Sequence, residues 1–353
     1  MIRSFDAAII GGGPAGSATA VGLAKRGLKV ALFEKNLGTP WKIGESLPPE
    51  ARPLLQKLGA WERFCKDEHL SSSGIVSQWG GHNPVEKDYI FNPNGSGWHV
   101  DRSRFESNLL ELAQHCSVAI FQGKEPEKFD FSNSGHSFSV GAERFQSDWI
   151  VDCSGRKAQF ATSVSGPYQK LDAMVSIFVL FRSKDKSDVD ARTFVESCED
   201  GWWYSALMPS GVRIVAYQTD QDLLPEQESI TNNWIDLKLE QTSKISNLLS
   251  QHSCKAVSAP RIVSAHAGRF DCFVGKTWIS VGDSAMTFDP LSGLGSYKAL
   301  LMASAAVEHL TGGPDYQQFC EQLWTNFLEQ RLSYYESEKR WHKHAFWKRR
   351  RLK

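Results

Sequence analysis

Phe5-Asp6-Ala7-Ala8-Ile9-Ile10-Gly11-Gly12-Gly13-Pro14-Ala15-Gly16 opens the chain, and Lys29-Val30-Ala31-Leu32-Phe33-Glu34 follows a short way on. The apolar run Phe5 to Ile10 reads as a strand and the glycines as a turn. Pro14 to Lys25 reads as a helix with proline at its start, and Lys29 to Glu34 as a second strand. Strand, turn, helix and strand in that order predict a parallel pair joined by a right-handed crossover. Gly11, Gly13 and Gly16 stand as G-x-G-x-x-G. The first allows the tight turn, the second lets a pyrophosphate approach the backbone, and the third lets helix and strand pack closely. Together with Pro14 and Ala15 they turn the free N–H groups of a helix N-terminus toward an anion. Glu34 ends the second strand, where a carboxylate accepts bonds from ribose hydroxyls, and Lys35 is counted with it. The motif predicts dinucleotide binding and leaves the choice of dinucleotide open.

Working outward, the 353 residues are 41% hydrophobic and 23% charged, which excludes a disordered or collagen-like chain. Forty basic residues against forty acidic ones exclude a uniformly basic nucleic-acid binder. The balance is uneven, because Lys339 to Lys353 holds eight basic residues and no acid, leaving −8 on the rest. That tail is expected as a solvated helical end, as a docking site for an acidic partner surface, or as a contact for a membrane surface or nucleic acid. The seven cysteines are scattered without a C-x-x-C pair, the pattern of reduced intracellular thiols, and no Cys or His spacing reads as a metal site. Ala173 to Phe181 is the longest apolar run, too short to span a membrane. A cytoplasmic location without a transmembrane segment is expected.

Farther along, Ala173 to Arg261 alternates short β-rich runs with turns, predicting a mostly antiparallel sheet. Thr277-Trp278-Ile279-Ser280-Val281-Gly282-Asp283 returns to a strand, followed by Asp289-Pro290, Gly293-Leu294-Gly295 and a helix from about Ser296 to Leu310. From Gln317 the chain reads as helix to its end. The fold class is therefore α/β, with a Rossmann-like domain, an inserted antiparallel β-sheet domain and a helical C-terminus.

The segment around Gly282-Asp283 resembles the second flavin fingerprint of the para-hydroxybenzoate hydroxylase and flavin-dependent halogenase superfamily. The resemblance implies that Asp283 holds the ribityl chain of FAD. Pro290, Gly293, Leu294 and Gly295 would then face the pyrimidine edge of the flavin, where a helix N-terminus stabilises negative charge. Val100-Asp101-Arg102 resembles the helix start that contacts the FAD pyrophosphate, a role carried to Arg102. Asp152-Cys153-Ser154-Gly155 resembles the D-x-x-G stretch that closes the FAD domain. FAD is the cofactor implied, in a discontinuous domain of residues 1–75, 98–165 and 262–315. Residues 76–97 and 166–261 would form the substrate domain, and 316–353 a helical segment with the basic tail.

Gly44-Glu45-Ser46-Leu47-Pro48-Pro49 resembles the G-E-S loop that lies against the isoalloxazine in this group, so Glu45 and Ser46 are expected at the cofactor. Glu45 is a candidate for proton transfer or a backbone cap. Two features depart from the halogenases: Ser71 to Val76 lacks their lysine, and Tyr204 to Pro209 lacks the tryptophans of their W-x-W-x-I-P signature. A compact chain with these variants is similar to the flavoproteins that mature tryptophylquinone amine oxidases of the lysine- and glycine-oxidase type. This resemblance implies an FAD-dependent monooxygenase that hydroxylates a tryptophan in the precursor of such an oxidase, with a cysteine or lysine tryptophylquinone as the mature group. The electron donor would be NAD(P)H or a flavin reductase. The alternatives are a hydroxylase or reductase of a free small aromatic or isoprenoid molecule, and a flavin-bound assembly factor. Trp203 and His266 join Glu45 as catalytic candidates. On a strand, Trp202 and Trp203 point to opposite faces, so one of them lines the cleft. Gln78 and Trp79 are expected at its border.

Overall fold

The structure is a computed structural model that describes residues 2–38, 41–132 and 135–351. Strand β1 (Arg3–Ile10) leads through the glycine turn into helix α1 (Pro14–Ala24) and strand β2 (Val30–Glu34), and the two strands pair in parallel. Ala7 to Ile10 and Val30 to Phe33 are all buried, because helices cover one face and side chains such as Phe138, Val140, Phe145 and Phe160 pack on the other. This is why they read as continuous apolar runs without alternation.

Strands β3 (Gly74–Gln78) and β4 (Val85–Asp88) belong to a second sheet. Helix α2 (Arg102–His115) returns the chain to the first, N-capped by Asp101, whose carboxylate accepts from Arg104 N at 3.1 Å. Strand β5 (Ala119–Gln122) then extends β2 in parallel. Strands β6 (Glu127–Ser132) and β7 (Gly135–Val140) form an antiparallel flap, and β8 (Glu143–Asp152) runs parallel to β1.

The second sheet is built on β9 (Met174–Ser183), β10 (Thr193–Cys198), β11 (Gly201–Leu207) and β12 (Val212–Asp220). Helices α3 (Asn232–Leu239) and α4 (Lys244–Gln251) cover one of its faces through Ile235, Leu239, Ile245 and Leu248. With β13 (Cys254–Ala256) its order is β13-β9-β12-β11-β10-β3-β4, and β14 (Arg261–Ser264) also pairs with β9. All its pairs are antiparallel except β10 with β3. Strand β15 (Trp278–Ser280) rejoins the first sheet beside the end of β8, giving the order β5-β2-β1-β8-β7-β6 with β15 on the far half of β8. The α/β class with its mostly antiparallel second sheet is as the sequence predicts.

Helix α5 (Gly295–Leu310) packs on α1 so closely that a Cβ on Gly22 would lie 2.7 Å from Val307 Cγ2. Helix α6 (Tyr316–Ser337) follows, and here the expectation of one helix to the end fails. Glu338 has an extended backbone, and its buried carboxylate accepts from Ser197 Oγ at 2.6 Å and Gly80 N at 2.7 Å. The chain turns there and lays a short helix, α7 (Ala345–Arg349), on the second sheet. Among the described residues no helix is long and apolar enough to cross a membrane, and no cluster of His, Cys, Asp and Glu is arranged to hold a metal ion.

Candidate active site

One cavity of about 530 Å³ lies between the glycine turn, the Gly44–Ser46 loop, the start of α5 and one face of the second sheet. Gly11, Gly13, Pro14, Ala15, Glu34 and Lys35 line its first end. Gly11 has φ +102°, and a Cβ there would meet Cys153 O at 2.4 Å. A Cβ on Gly13 would point into open space, leaving the backbone accessible from the cavity. Gly16 does not line the cavity. A Cβ on it would lie 1.9 Å from Gly11 O, so its part is the close packing of the turn.

The Glu34 carboxylate accepts from Gly12 N at 2.7 Å, Asn36 N at 2.9 Å and Asn36 Nδ2 at 2.6 Å. That leaves about one of its four acceptor positions facing the cavity. Neither α1 nor α5 has a side-chain cap or an acid in its first turn, and the N-terminus of each borders the cavity. Two positive helix ends therefore converge on one space, which suits a ligand with an anionic linker and a second electron-rich edge. The residues fit FAD: the α1 turn for its pyrophosphate, Glu34 for a ribose, and the Gly293-Leu294-Gly295 turn for the flavin.

Asp283 lines the wall 3.7 Å from Arg156 Nε; burial raises its carboxyl above the usual range, opposed by Arg156 and Arg102. Pro290, Gly293, Leu294 and Gly295 line the same end. Arg102 also reaches the cavity, with much of its guanidinium engaged in holding the adjacent loop. Nη1 donates to Gly44 O at 2.9 Å and Nε to Glu106 Oε1 at 3.1 Å. It thereby fixes the position of Glu45. Asp152 stays behind the wall, its carboxylate accepting from Ser154 N, Phe160 N and Ala161 N, and so shapes the strand-end turn.

Glu45 is buried, and its Oε2 accepts from Gly44 N at 3.0 Å. Tyr204 donates to Glu45 Oε1 and shares a 2.7 Å hydrogen bond with Ser46 Oγ. Burial, then the negative charge of Glu45, pushes the Tyr204 phenol well above its ordinary range, so it stays protonated. Glu45, Ser46 and Tyr204 all line the cavity and form a hydrogen-bonded acid–phenol–hydroxyl group within it. Tyr204 escaped the sequence reading, although its alternation with Trp202 on a predicted strand was a usable signal.

Trp203 is corrected. It faces away from the cavity, stacked on Tyr217 at 4.8 Å between ring centroids and buried among the residues beneath α3 and α4. Strand alternation turns Trp202 to the cavity instead. His266 is corrected too: its carbonyl accepts from Arg156 Nη1 at 2.9 Å, and its ring packs edge-on to Tyr168, outside the cavity lining. Burial and the charges of Arg156 and Lys170 lower its pKa to about 4, so the ring is neutral at neutral pH. Gln78 and Trp79 do not line the cavity; Trp79 stands behind Trp202, Tyr335 and Trp347.

As far as Arg351 the tail is not a solvated helical end, because much of it is packed on the body. Phe346 and Trp347 are fully buried, and Trp347 Nε1 donates to Cys198 O at 2.9 Å. Arg350 is paired with Asp220 at 2.6 Å, both buried, while Arg349 bridges Asp220 and Asp222. Tyr335, on α6, accepts from Trp202 Nε1 at 3.2 Å and donates to Asp289 Oδ2 at 2.8 Å. The C-terminal segment thus backs the cavity wall at Trp202 and holds the Asp289-Pro290 turn.

Comparison with known proteins agrees with this arrangement. Residues 6–44 match the family model for FAD dependent oxidoreductases, and residues 82–351, about three quarters of the chain, match the tryptophan halogenase model. The chain is 26% identical to FAD-dependent oxidoreductase LodB of Marinomonas mediterranea, over 99% of this chain and 97% of that one. It is also 26% identical to Tryptophan 2-halogenase of Chondromyces crocatus, over 86% of this chain and 61% of that one. The fold matches the myxobacterial chondrochloren halogenase CndH with a TM-score of 0.87 at 20% identity, covering 99% of this chain and 86% of that one. It matches the peptidyl tryptophan dihydroxylase QhpG, a protein essential for tryptophylquinone cofactor biogenesis, with a TM-score of 0.77 at 23% identity, covering 99% and 79%.

Proposed function

The chain belongs to the tryptophan halogenase family and is an FAD-dependent enzyme, and from that premise we propose that it hydroxylates a tryptophan side chain in a partner protein during biogenesis of a tryptophylquinone. The observation that carries this reading is the sheet end of the cavity, where Trp202, Tyr204, Ala216 and Gln218 stand beside Glu45. The lysines lining the cavity among the described residues are Lys35, Lys42, Lys124 and Lys157, and none is on this sheet. The stretch Ser71 to Val76, where halogenases of the resembling group carry their lysine, has none. The fold of QhpG supports the same reading, and full-length similarity to LodB supports the flavin-dependent oxidoreductase part of it.

When bound, reduced FAD supplies two electrons to dioxygen, so that one oxygen atom is added to the ring and the other leaves as water. The electrons come from NAD(P)H or a flavin reductase. The protein's share is positional. Arg102 holds the loop that carries Glu45, and Gly44 N fixes Glu45 Oε2. Tyr204 keeps its proton against Glu45 Oε1, and Ser46 links the phenol to the cavity, giving a path for a proton between ring and acid. The divided cavity, with a phosphate-binding end and an aromatic end, keeps cofactor and ring in fixed relation. Co-expression with the precursor of a tryptophylquinone-dependent amine oxidase, followed by intact mass of the precursor, tests the reading. Gain of one or more oxygen atoms on a tryptophan is expected. An unmodified precursor under reducing, aerated conditions refutes it, and bound but unmodified precursor points to the assembly-factor alternative.

A further inference from the structure

We propose that β14 (Arg261–Ser264) is the docking edge for the protein substrate, which adds an extended segment to the second sheet as one more antiparallel strand, an assignment that rests on the reading that the substrate ring belongs to a polypeptide. Among the described residues β14 pairs with β9 alone, Val175 opposite Ser264, Ser176 opposite Val263, Ile177 opposite Ile262 and Phe178 opposite Arg261. Ala265 N donates to Met174 O at 3.0 Å in the same register, so by alternation it is Val263 and Arg261 that exchange hydrogen bonds with β9. The N–H and C=O groups of Ile262 and Ser264 therefore point away from the sheet, and among the described residues none of them has a hydrogen-bond partner. Ile262 and Ser264 are both exposed. Val263, Ser264 and Ala265 line the cavity, so the open edge is continuous with the cavity wall. Edge strands are ordinarily covered, bulged or charged against pairing. Pro260 and Arg261 blunt the first end of β14, whereas Ile262 to Ser264 has neither charge nor proline.

The edge prescribes its occupant. A row of outward donors and acceptors at strand spacing is matched by an extended backbone. Residues directly opposite in adjacent strands share a face of the sheet. Val263 lies on the cavity face with Ser176, so the substrate residue opposite Val263 turns its side chain toward the cavity. Its two neighbours turn to the other face, where the exposed side chain of Ile262 offers an apolar contact. Residues 241–270 include Lys244, Lys255, Arg261 and Arg269 and no acid. The edge thus fits a segment whose target aromatic has uncharged neighbours and acids farther out.

The probe is a blocked synthetic peptide with one central tryptophan, threonine and valine on each side and glutamates at the ends. It is titrated by calorimetry into the flavin-loaded protein, and binding is expected to slow hydrogen exchange at the amides of Ile262 and Ser264. N-methylation of the two residues beside the tryptophan removes the donors that face the edge and is expected to weaken binding about tenfold or more. N-methylation of the tryptophan itself, whose N–H faces outward, is expected to change binding by less than about threefold. Ile262→Pro removes one outward donor without touching the ladder to β9, and is expected to keep its flavin and bind the peptide about tenfold more weakly. Ile262→Ala keeps the donor and is expected to keep most of the affinity. No binding of the unmethylated peptide, equal binding of all three peptides, or unchanged exchange at Ile262 and Ser264 overturns the assignment, and these arms decide it where Ile262→Pro fails to fold. Failure of the wider reading is seen separately. Peptide binding at the edge without oxygen gain on the precursor keeps the docking and removes the hydroxylation. Oxygen gain on the precursor at an unaltered rate in folded Ile262→Pro keeps the hydroxylation and removes the docking edge.

Discussion

At the residue scale, Gly13 and Gly16 of one glycine turn do different work. Gly13 has φ −71° and ψ −172°, which alanine adopts freely, and its Cβ would point into open space. Gly16 has no such room, with Gly11 O at 1.9 Å from a Cβ. Gly13→Ala is therefore expected to fold with the melting temperature of the unaltered protein stripped of flavin and to lose FAD on gel filtration, because the methyl occupies the pyrophosphate's approach. Gly16→Ala is expected to be destabilised with or without cofactor. A Gly13→Ala protein that keeps full flavin content would contradict the cradle. Lys298 offers a second check. It lies 3.6 Å from the Phe288 ring centroid, and burial lowers its pKa to about 7, with Asp289 opposing. Its folded pKa is below the unfolded 10.5. Its neutral form is thus compatible with folding, and stability is lost as pH falls from the unfolded value through the folded one, by at most about 1.4 kcal/mol per pH unit. The melting-temperature advantage of Lys298→Met over the unaltered protein is expected to grow from pH 10 down to 7 and level off below. An advantage independent of pH would show that Lys298 does not titrate in this way.

At the scale of elements, the C-terminal helix α7 is a strap across the sheet. Trp347 is enclosed by Trp79, Tyr335 and Phe346. Trp347→Ala is expected to cost about 3–5 kcal/mol, the usual range for a buried large aromatic, and to loosen the wall behind Trp202. Chemical denaturation measures the first effect and flavin fluorescence the second; an unchanged unfolding midpoint would return the strap to a surface appendage. This element also shows where sequence reading stops. β1, α1 and β2 were legible because local periodicity and glycine spacing are enough to specify them, and the antiparallel sheet because its strands alternate with turns. The packing of the tail was not legible because a run of bases interleaved with aromatics looks the same whether it meets water or its own body. Its partners, Asp220, Asp222 and Ser197, lie more than a hundred residues upstream, and only folding brings them near. Trp203 was misplaced for a related reason: alternation separates it from Trp202, and which face meets the cavity is set by what packs on the other, here α3 and α4.

At the scale of the whole molecule, the neutral total charge hides internal neutralisation. Arg340, Arg349, Arg350 and Arg351 are engaged with the body's own carboxylates, carbonyls and hydroxyls, while Lys339, Lys343 and Lys348 remain exposed. The cavity is as global as the charge. Its lining runs from Ile10 to Ala299 and includes both sheets, the Gly44–Ser46 loop and the start of α5. A ligand that fills it touches both sheets, so cofactor binding is expected to stabilise the molecule as one unit. For protein stripped of flavin, FAD at a hundred times its dissociation constant adds about 2.7 kcal/mol if only the folded state binds. Calorimetry with increasing FAD is expected to give one transition moving upward together, with the same midpoint by flavin fluorescence and by far-ultraviolet circular dichroism. Two transitions, of which only the first responds to FAD, would mean that the cofactor is held by the glycine-turn sheet alone. The second sheet would then be an independent body, and neither Tyr204 nor Gln218 would be held in a fixed position relative to the flavin. One shared transition is the thermodynamic counterpart of a cavity whose phosphate-binding and aromatic ends belong to the same site.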